Sequence, residues 1–318
     1  MPTVCTELVG GLGNQLFIIF TCIATALRDH ADFIIQQDTY ENTKNKTYWY
    51  CSTPIFTKLR DHMTNIPVKK DSCTLFTESK NFKILNTPDA NAQKNKKLFL
   101  CGYFQSPCFF DTYANEIISM LEIDTLQKQQ QIRFPKSQKV TCAMHFRLGD
   151  YKNLQHIHPI MPLEYFENSL EYLMASTNQP LHVLWTCQNS DIKEVEEDYI
   201  LKLARKYPTL VFEKLPNSDS DCEELLLMSL CDHFIIPNST FSWWAAYLCK
   251  NEKKIVCYPE TWYAHTIGDF ISNSQNSTRM FPSSWKKISF KITLVQLPEK
   301  FKKVRQTRQR LRYRTRTN

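Results

Sequence analysis

The most chemically explicit part of the sequence is His145–Phe146–Arg147–Leu148–Gly149–Asp150–Tyr151. A guanidinium is planar, permanently charged and able to grip two phosphate oxygens at once. Side chains two apart on a strand share a face, so His145 and Arg147 point the same way. Asp150 can orient Arg147 or accept a proton from an attacking hydroxyl. A plain Arg–Asp pair closing a loop would need no ligand. The second segment is Pro237–Asn238–Ser239–Thr240–Phe241–Ser242–Trp243–Trp244, entered from the apolar run Phe234–Ile235–Ile236. Ser239 or Thr240 can cap the helix starting there, and the free amides of its first turn form a phosphate pocket. Trp243 and Trp244 read as packing rather than as a base-stacking platform.

The third segment is Gly10–Gly11–Leu12–Gly13–Asn14–Gln15–Leu16–Phe17. A chain with only six glycines places them where the backbone demands them. Gly11 and Gly13 would open a strand-to-helix turn whose N–H groups suit an anion, with Asn14 and Gln15 adding amides. The same turn partly imitates a dinucleotide fingerprint, but Leu16 stands where a third glycine belongs. With Asp38 as a ribose acid, a nicotinamide oxidoreductase is the rival reading. Asp219–Ser220–Asp221 has the spacing of a metal-holding pair. Ser220 followed by Glu223 is also a capping box, which is the preferred reading.

These segments need an alternating fold to hold them. Thr3–Val9 reads as a strand, then a helix with Leu16, Phe20, Ile23 and Leu27 on one stripe, then a strand at Asp32–Gln36. Residues 40–97 read as loops with minor elements, and Leu98–Tyr103 as a strand. A helix over Thr112–Gln130 runs into Phe134–Pro135, a boundary between lobes 1–135 and 136–298. Strands are expected at Val140–His145, Leu181–Thr186, Leu210–Phe212, His233–Ile236 and Lys254–Cys257. Helices are expected at Pro162–Met174, Ile192–Lys206, Cys222–Ser229 and Thr240–Cys249. Such alternation gives parallel sheets covered on both faces, here two Rossmann-like α/β lobes facing across a cleft. Ligands of such sheets gather at the carboxyl ends of strands, where the 145–151 and 237–242 segments fall.

Composition excludes other classes. The chain has 318 residues, 42% hydrophobic and 13% aromatic, enough for two cores of ordinary size. Its net charge of +7 is concentrated in a tail, residues 299–318, which carries nine basic residues and one acidic. The remainder is near neutral, which argues against a nucleic-acid-binding body. The tail reads as a solvated end or as a peripheral contact for anionic lipid. Twelve cysteines are scattered with no C-x-x-C pair, so free buried thiols are expected rather than disulfides or zinc. With no signal peptide or spanning segment evident, the expected location is cytoplasmic. Of the glycosylation sequons at Asn45, Asn238 and Asn276, that at Asn238 falls in the expected pocket and is discounted.

The three segments, in this order and spacing, resemble glycosyltransferase family 11, the α-1,2-fucosyltransferases. The similarity extends through Glu224 to Leu248, where Leu227–Met228–Ser229–Leu230–Cys231–Asp232–His233 leads into the second segment, and to the closing Phe281–Pro282–Ser283–Ser284–Trp285. The resemblance implies a GT-B fold, an N-terminal lobe on the acceptor side and a C-terminal lobe binding GDP-fucose. It further implies no metal or other cofactor, and inversion at the anomeric carbon. Arg147 would bind the diphosphate, with His145, Asn238, Ser239, Thr240, Phe241 and Ser242 around the donor. Gly11, Gly13, Asn14 and Gln15 would face the cleft from the other lobe. The family often carries a second arginine where this chain has Leu148, which leaves another deoxysugar open. The acceptor is expected to be a glycan hydroxyl, O2 of galactose. The proton acceptor is Asp150, with Asp38 or Glu41 as alternatives. A non-catalytic glycan-binding protein on the same fold is the remaining alternative.

Overall fold

Val4 and Cys5, buried at the centre of β1 (Thr3–Glu7), begin the first of two parallel sheets. This computed structural model describes residues 1–36, 54–64, 66–78, 87–93, 96–135, 139–264 and 279–291. Asp38, Glu41, the sequons at Asn45 and Asn276 and the 299–318 tail lie outside them. After β1 come α1 (Leu12–Asp29), β2 (Asp32–Gln36), α2 (Pro54–Thr57), β3 (Met63–Thr64), β4 (Thr74–Thr77) and β5 (Lys97–Cys101). Next are α3 (Ala114–Met120) and α4 (Ile123–Gln130). The strands pair in the order β3-β2-β1-β5-β4. The chain therefore reverses direction across the sheet between β1 and β5, and a crevice opens at their carboxyl ends.

The second sheet repeats this logic. Its elements are β6 (Val140–Phe146), α5 (Leu163–Thr177), β7 (Leu181–Cys187), α6 (Ile192–Val195), α7 (Leu201–Lys206), β8 (Val211–Lys214) and α8 (Asp221–Met228). They continue with β9 (His233–Ile235), α9 (Thr240–Leu248), β10 (Val256–Pro259) and β11 (Lys286–Ile288). The order β11-β10-β9-β6-β7-β8 places the reversal between β6 and β9. Every residue of β7 is buried, as expected of a parallel strand covered on both faces. The protein is thus an α/β molecule of two Rossmann-like lobes, a GT-B-like arrangement.

Two helices differ from expectation for identifiable reasons. The 112–130 helix breaks at Glu122, which takes φ 52°. Leu121 and Ile123 are both buried, yet in one unbroken helix residues two apart point to opposite sides. The left-handed residue lets both reach the core. Over 192–206, a π turn at Glu196–Ile200 separates α6 from α7.

The lobes share one core. The expected stripe on α1 exists, but most of the helix perimeter is buried, because α9 of the second lobe covers its other face. Phe17 lies 4.5 Å from Trp243 and 5.0 Å from Trp244 between ring centroids. Phe20 is 4.5 Å from Trp244, and Phe110 stacks on the same indole at 5.4 Å. Both tryptophans are fully buried, so they pack the lobes together. Gln127 of α4 donates Nε2 to Ser229 Oγ at 2.7 Å and to the Leu248 carbonyl at 3.0 Å, adding a buried polar tie. All described cysteines are free thiols. Among the described residues no helix is long and apolar enough to cross a membrane.

Candidate active site at the two switch points

β6 delivers His145 near its end and Arg147 just beyond it; β9 delivers Asn238 and the start of α9. Because β6 and β9 are neighbours at the reversal point, the 145–151 and 237–242 segments share one crevice. Tyr151 closes the link by donating its hydroxyl to the Asn238 carbonyl at 2.9 Å. Arg147 donates Nη2 to Asp150 Oδ1 at 2.7 Å, and its guanidinium lies 5.3 Å from the Tyr151 ring. The Arg147 Nε is buried without a partner. So are His145 Nδ1 and Asn238 Oδ1. An unpartnered buried polar group costs about 1–3 kcal/mol, so three in one crevice point to a polar ligand.

Each remaining expected residue has a defined place. Ser239 is the N-cap of α9 but makes no side-chain cap bond. The first-turn amides of α9 are therefore left without a side-chain cap. Phe241 lies 5.5 Å from the His145 ring. Ser242 is fully buried and donates to the Ser239 carbonyl at 3.3 Å, so its hydroxyl serves the helix. Asn238 donates Nδ2 to the carbonyls of Pro159 (3.1 Å) and Trp262 (3.0 Å), bracing two loops.

From the first lobe only part of the glycine segment reaches the crevice. Asn14 Oδ1 accepts from Thr240 Oγ1 at 3.0 Å and from Gln105 Nε2 at 2.8 Å. The two reversal points meet at this amide. Gln15 is buried and donates to the Gly10 carbonyl at 2.9 Å, so it closes the turn instead of facing a ligand. Gly11 is open, whereas a Cβ on Gly13 would lie 2.4 Å from the Thr240 carbonyl carbon. Backbone of the second lobe fills the space above Gly13 where a dinucleotide would approach. Ser220 caps α8 by accepting from the Glu223 amide at 3.3 Å, and Glu223 accepts from the Asp219 amide at 3.1 Å. The Ser220 half of the capping box is realised, while Glu223 takes the amide one residue before the cap in place of the cap's own.

Several further residues of this region take their place from the fold. Glu224 of α8 accepts from Thr186, which pairs with His145 across β6 and β7. Burial holds the Glu224 carboxyl above the usual carboxylate range. His158 stacks on Tyr151 at 4.7 Å and approaches Tyr263 at 5.5 Å. Tyr263 in turn donates to Gln105 Oε1 at 3.2 Å. The Gly149 amide donates to Asp191 at 2.7 Å, and Lys152 pairs with the same carboxylate at 2.9 Å, fixing the loop after Arg147. Only the fold brings these together.

His145 has a consequence for acid stability. Burial, with Arg147 adding, pushes its pKa down to about 3. Below about pH 6.5 the unfolded chain takes a proton that the folded chain refuses. Its stabilising contribution is therefore full above pH 6.5 and falls toward pH 3, by roughly 1.4 kcal/mol per pH unit. His145→Asn should flatten that acid slope in denaturant titrations between pH 6.5 and 4. Equal slopes in the variant and the parent protein would assign the acid sensitivity to other groups.

A charged fork, a helix N-terminus and unpartnered buried polar atoms at one reversal point suit a nucleotide diphosphate. Comparison with known proteins agrees with a sugar-transfer role. The profile of glycosyl transferase family 11 matches residues 78–285. The chain is 27% identical to the O-antigen biosynthesis glycosyltransferase WbnK of Escherichia coli, over 65% of this chain and 66% of that one. It is 23% identical to an Escherichia coli alpha-1,2-colitosyltransferase, over 91% and 99% of the two chains. A Caenorhabditis elegans galactoside 2-alpha-L-fucosyltransferase is 21% identical over 87% of this chain and 77% of its own. The family match covers more than half of the sequence and contains both crevice-forming segments of the second lobe; the chain belongs to glycosyl transferase family 11.

Proposed function

We propose that the protein transfers L-fucose from GDP-fucose to a glycan hydroxyl, O2 of galactose, with inversion and without a metal ion. The observation that carries this reading is the convergence of Arg147 and the α9 N-terminus on one crevice lined by buried, unpartnered polar atoms. The acceptor oxygen would attack the anomeric carbon from the face opposite the leaving GDP. Negative charge then grows on the diphosphate, where Arg147 and the α9 amides supply fixed positive potential. Asp150 holds Arg147 in place and is the proposed proton acceptor for the hydroxyl. Guanine presents adjacent N1–H and N2–H donors that a carboxylate can accept together, which makes Glu224 the residue to read the base.

A second reading, another deoxysugar as donor, draws on Leu148 and on the colitosyltransferase relative. The two readings share GDP and differ only in the sugar. GDP should raise the melting temperature well beyond equal concentrations of UDP or ADP, and Glu224→Gln should remove most of that preference. Transfer with GDP-fucose should survive EDTA. Equal shifts from all three nucleotides would sink the guanine assignment, and loss of activity in chelator would sink metal independence.

A further inference from the structure

The first lobe presents an exposed aromatic ring from a loop pinned more firmly than loops usually are. Tyr103 is 45% exposed, although the residues around it are tied down. Glu78, one residue beyond β4, accepts from the amides of both Tyr103 and Phe104 through Oε2, each at 2.8 Å. Phe104 takes φ 51° and is fully buried, packed on Phe76 and Phe109 with centroids 6.3 and 5.3 Å away. A Cβ on Gly102 would lie 2.5 Å from the Glu78 Cβ, so the carboxylate arm lies directly against bare backbone. A non-glycine residue with left-handed φ costs of order 1–3 kcal/mol and persists only where its surroundings enforce it. The Glu78 carboxylate and the buried Phe104 thus fix the backbone that carries the exposed Tyr103 ring.

A chain of contacts leads from Arg147 to Gln105, two residues beyond that phenol. Arg147 lies against Tyr151, Tyr151 stacks on His158, and His158 meets Tyr263. Tyr263 binds Gln105, two residues after Tyr103. Burial, with Glu78 and Tyr103 adding, pushes the Tyr263 hydroxyl up to about 12. Glu78 keeps a second oxygen, Oε1, buried and unpartnered.

We propose that Tyr103 is the stacking platform for the acceptor's terminal pyranose, and that Glu78 is the positioning residue that holds it at the mouth of the crevice. A pyranose has one face of C–H groups and a rim of hydroxyls. An aromatic ring held rigid before binding gains contact area with little loss of side-chain entropy. The path from Tyr103 to Arg147 would carry the acceptor toward the anomeric carbon. The proposal rests on the sugar-transfer reading for its ligand class, but its test does not require turnover.

The experiment is saturation-transfer NMR on the full chain with GDP present, using methyl β-galactoside, methyl β-glucoside and methyl α-mannoside as separate probes. Methyl β-galactoside should receive saturation at its C–H face. Tyr103→Ala should weaken that binding by about tenfold, and Tyr103→Phe should retain it. Glu78→Ala should weaken it with Tyr103 intact, and Glu78→Gln should restore it. Binding in Tyr103→Ala within about twofold of the parent, or no pyranoside bound by the parent protein, would overturn the platform. Melting curves with GDP, read in parallel, separate the two ideas. A GDP shift that persists while Tyr103 proves irrelevant removes only the platform, and a missing GDP shift removes the donor reading instead.

Discussion

Arg147→Ala is expected to lower kcat/KM for sugar transfer by about two to three orders of magnitude while leaving the fold intact. The size follows from the role: removing one fixed donor aimed at developing transition-state charge typically costs about 2.7–4 kcal/mol of activation free energy. Preservation of the fold follows from what Arg147 touches. Its ion pair with Asp150 is half exposed, with 26% and 56% of the two side chains in contact with solvent. Exposed pairs of this kind contribute about 0–1 kcal/mol to stability. Arg147→Lys should recover only part of the rate, because it keeps the charge and loses the fork that takes two oxygens. GDP affinity should fall with the rate, since the diphosphate is present in both donor and product. Kinetics with GDP-fucose beside an unfolding curve would check this. A variant within about threefold of the parent would move the diphosphate away from this guanidinium.

The second lobe is legible in the sequence because parallel strands buried on both faces are written as continuous apolar runs. Cys142 to Met144 and Phe234 to Ile236 are such runs, and the residues that follow their strands occupy the crevice. β11 was not foreseen: it is three residues long, lies at a sheet edge and exposes Lys286 and Lys287. β3, two residues long, leaves no pattern at all. The amphipathic stripe of α1 was readable, but its burial by α9 depends on aromatic partners more than 200 positions away. Glu78, Gln105 and His158 escaped for the same reason. Each is an ordinary polar residue in sequence and gains meaning only from a partner on another element.

The glycine segment carries a constraint that its own sequence does not show, and it supports the other large effect expected. An anion-binding turn is the reason the sequence suggests for glycine after β1, whereas the structure gives Gly13 a constraint from across the lobe boundary. A Cβ there would stand 2.4 Å from the Thr240 carbonyl carbon and 2.6 Å from the Phe241 nitrogen. Carbon atoms at rest sit about 3.5–4.0 Å apart. The atoms met are backbone in the first turn of α9, so no rotamer change can relieve the clash. The lobes would have to part by about 1 Å. Phe17, Phe20, Trp243 and Trp244 interlock across that boundary and resist such a shift. Gly13→Ala should therefore destabilise the protein by about 1–3 kcal/mol. It should also weaken GDP binding and transfer by more than about tenfold, because the displaced backbone carries the α9 amides and the Asn14–Thr240 bond. Gly11→Ala is the internal control, since nothing lies within 4 Å of its Cβ position. As an N-cap change it should cost under about 1 kcal/mol and leave GDP binding nearly unchanged. If calorimetry and GDP titration found the two variants alike, the conformational freedom of the turn, rather than close approach of the two lobes, would be the reason for glycine at both positions.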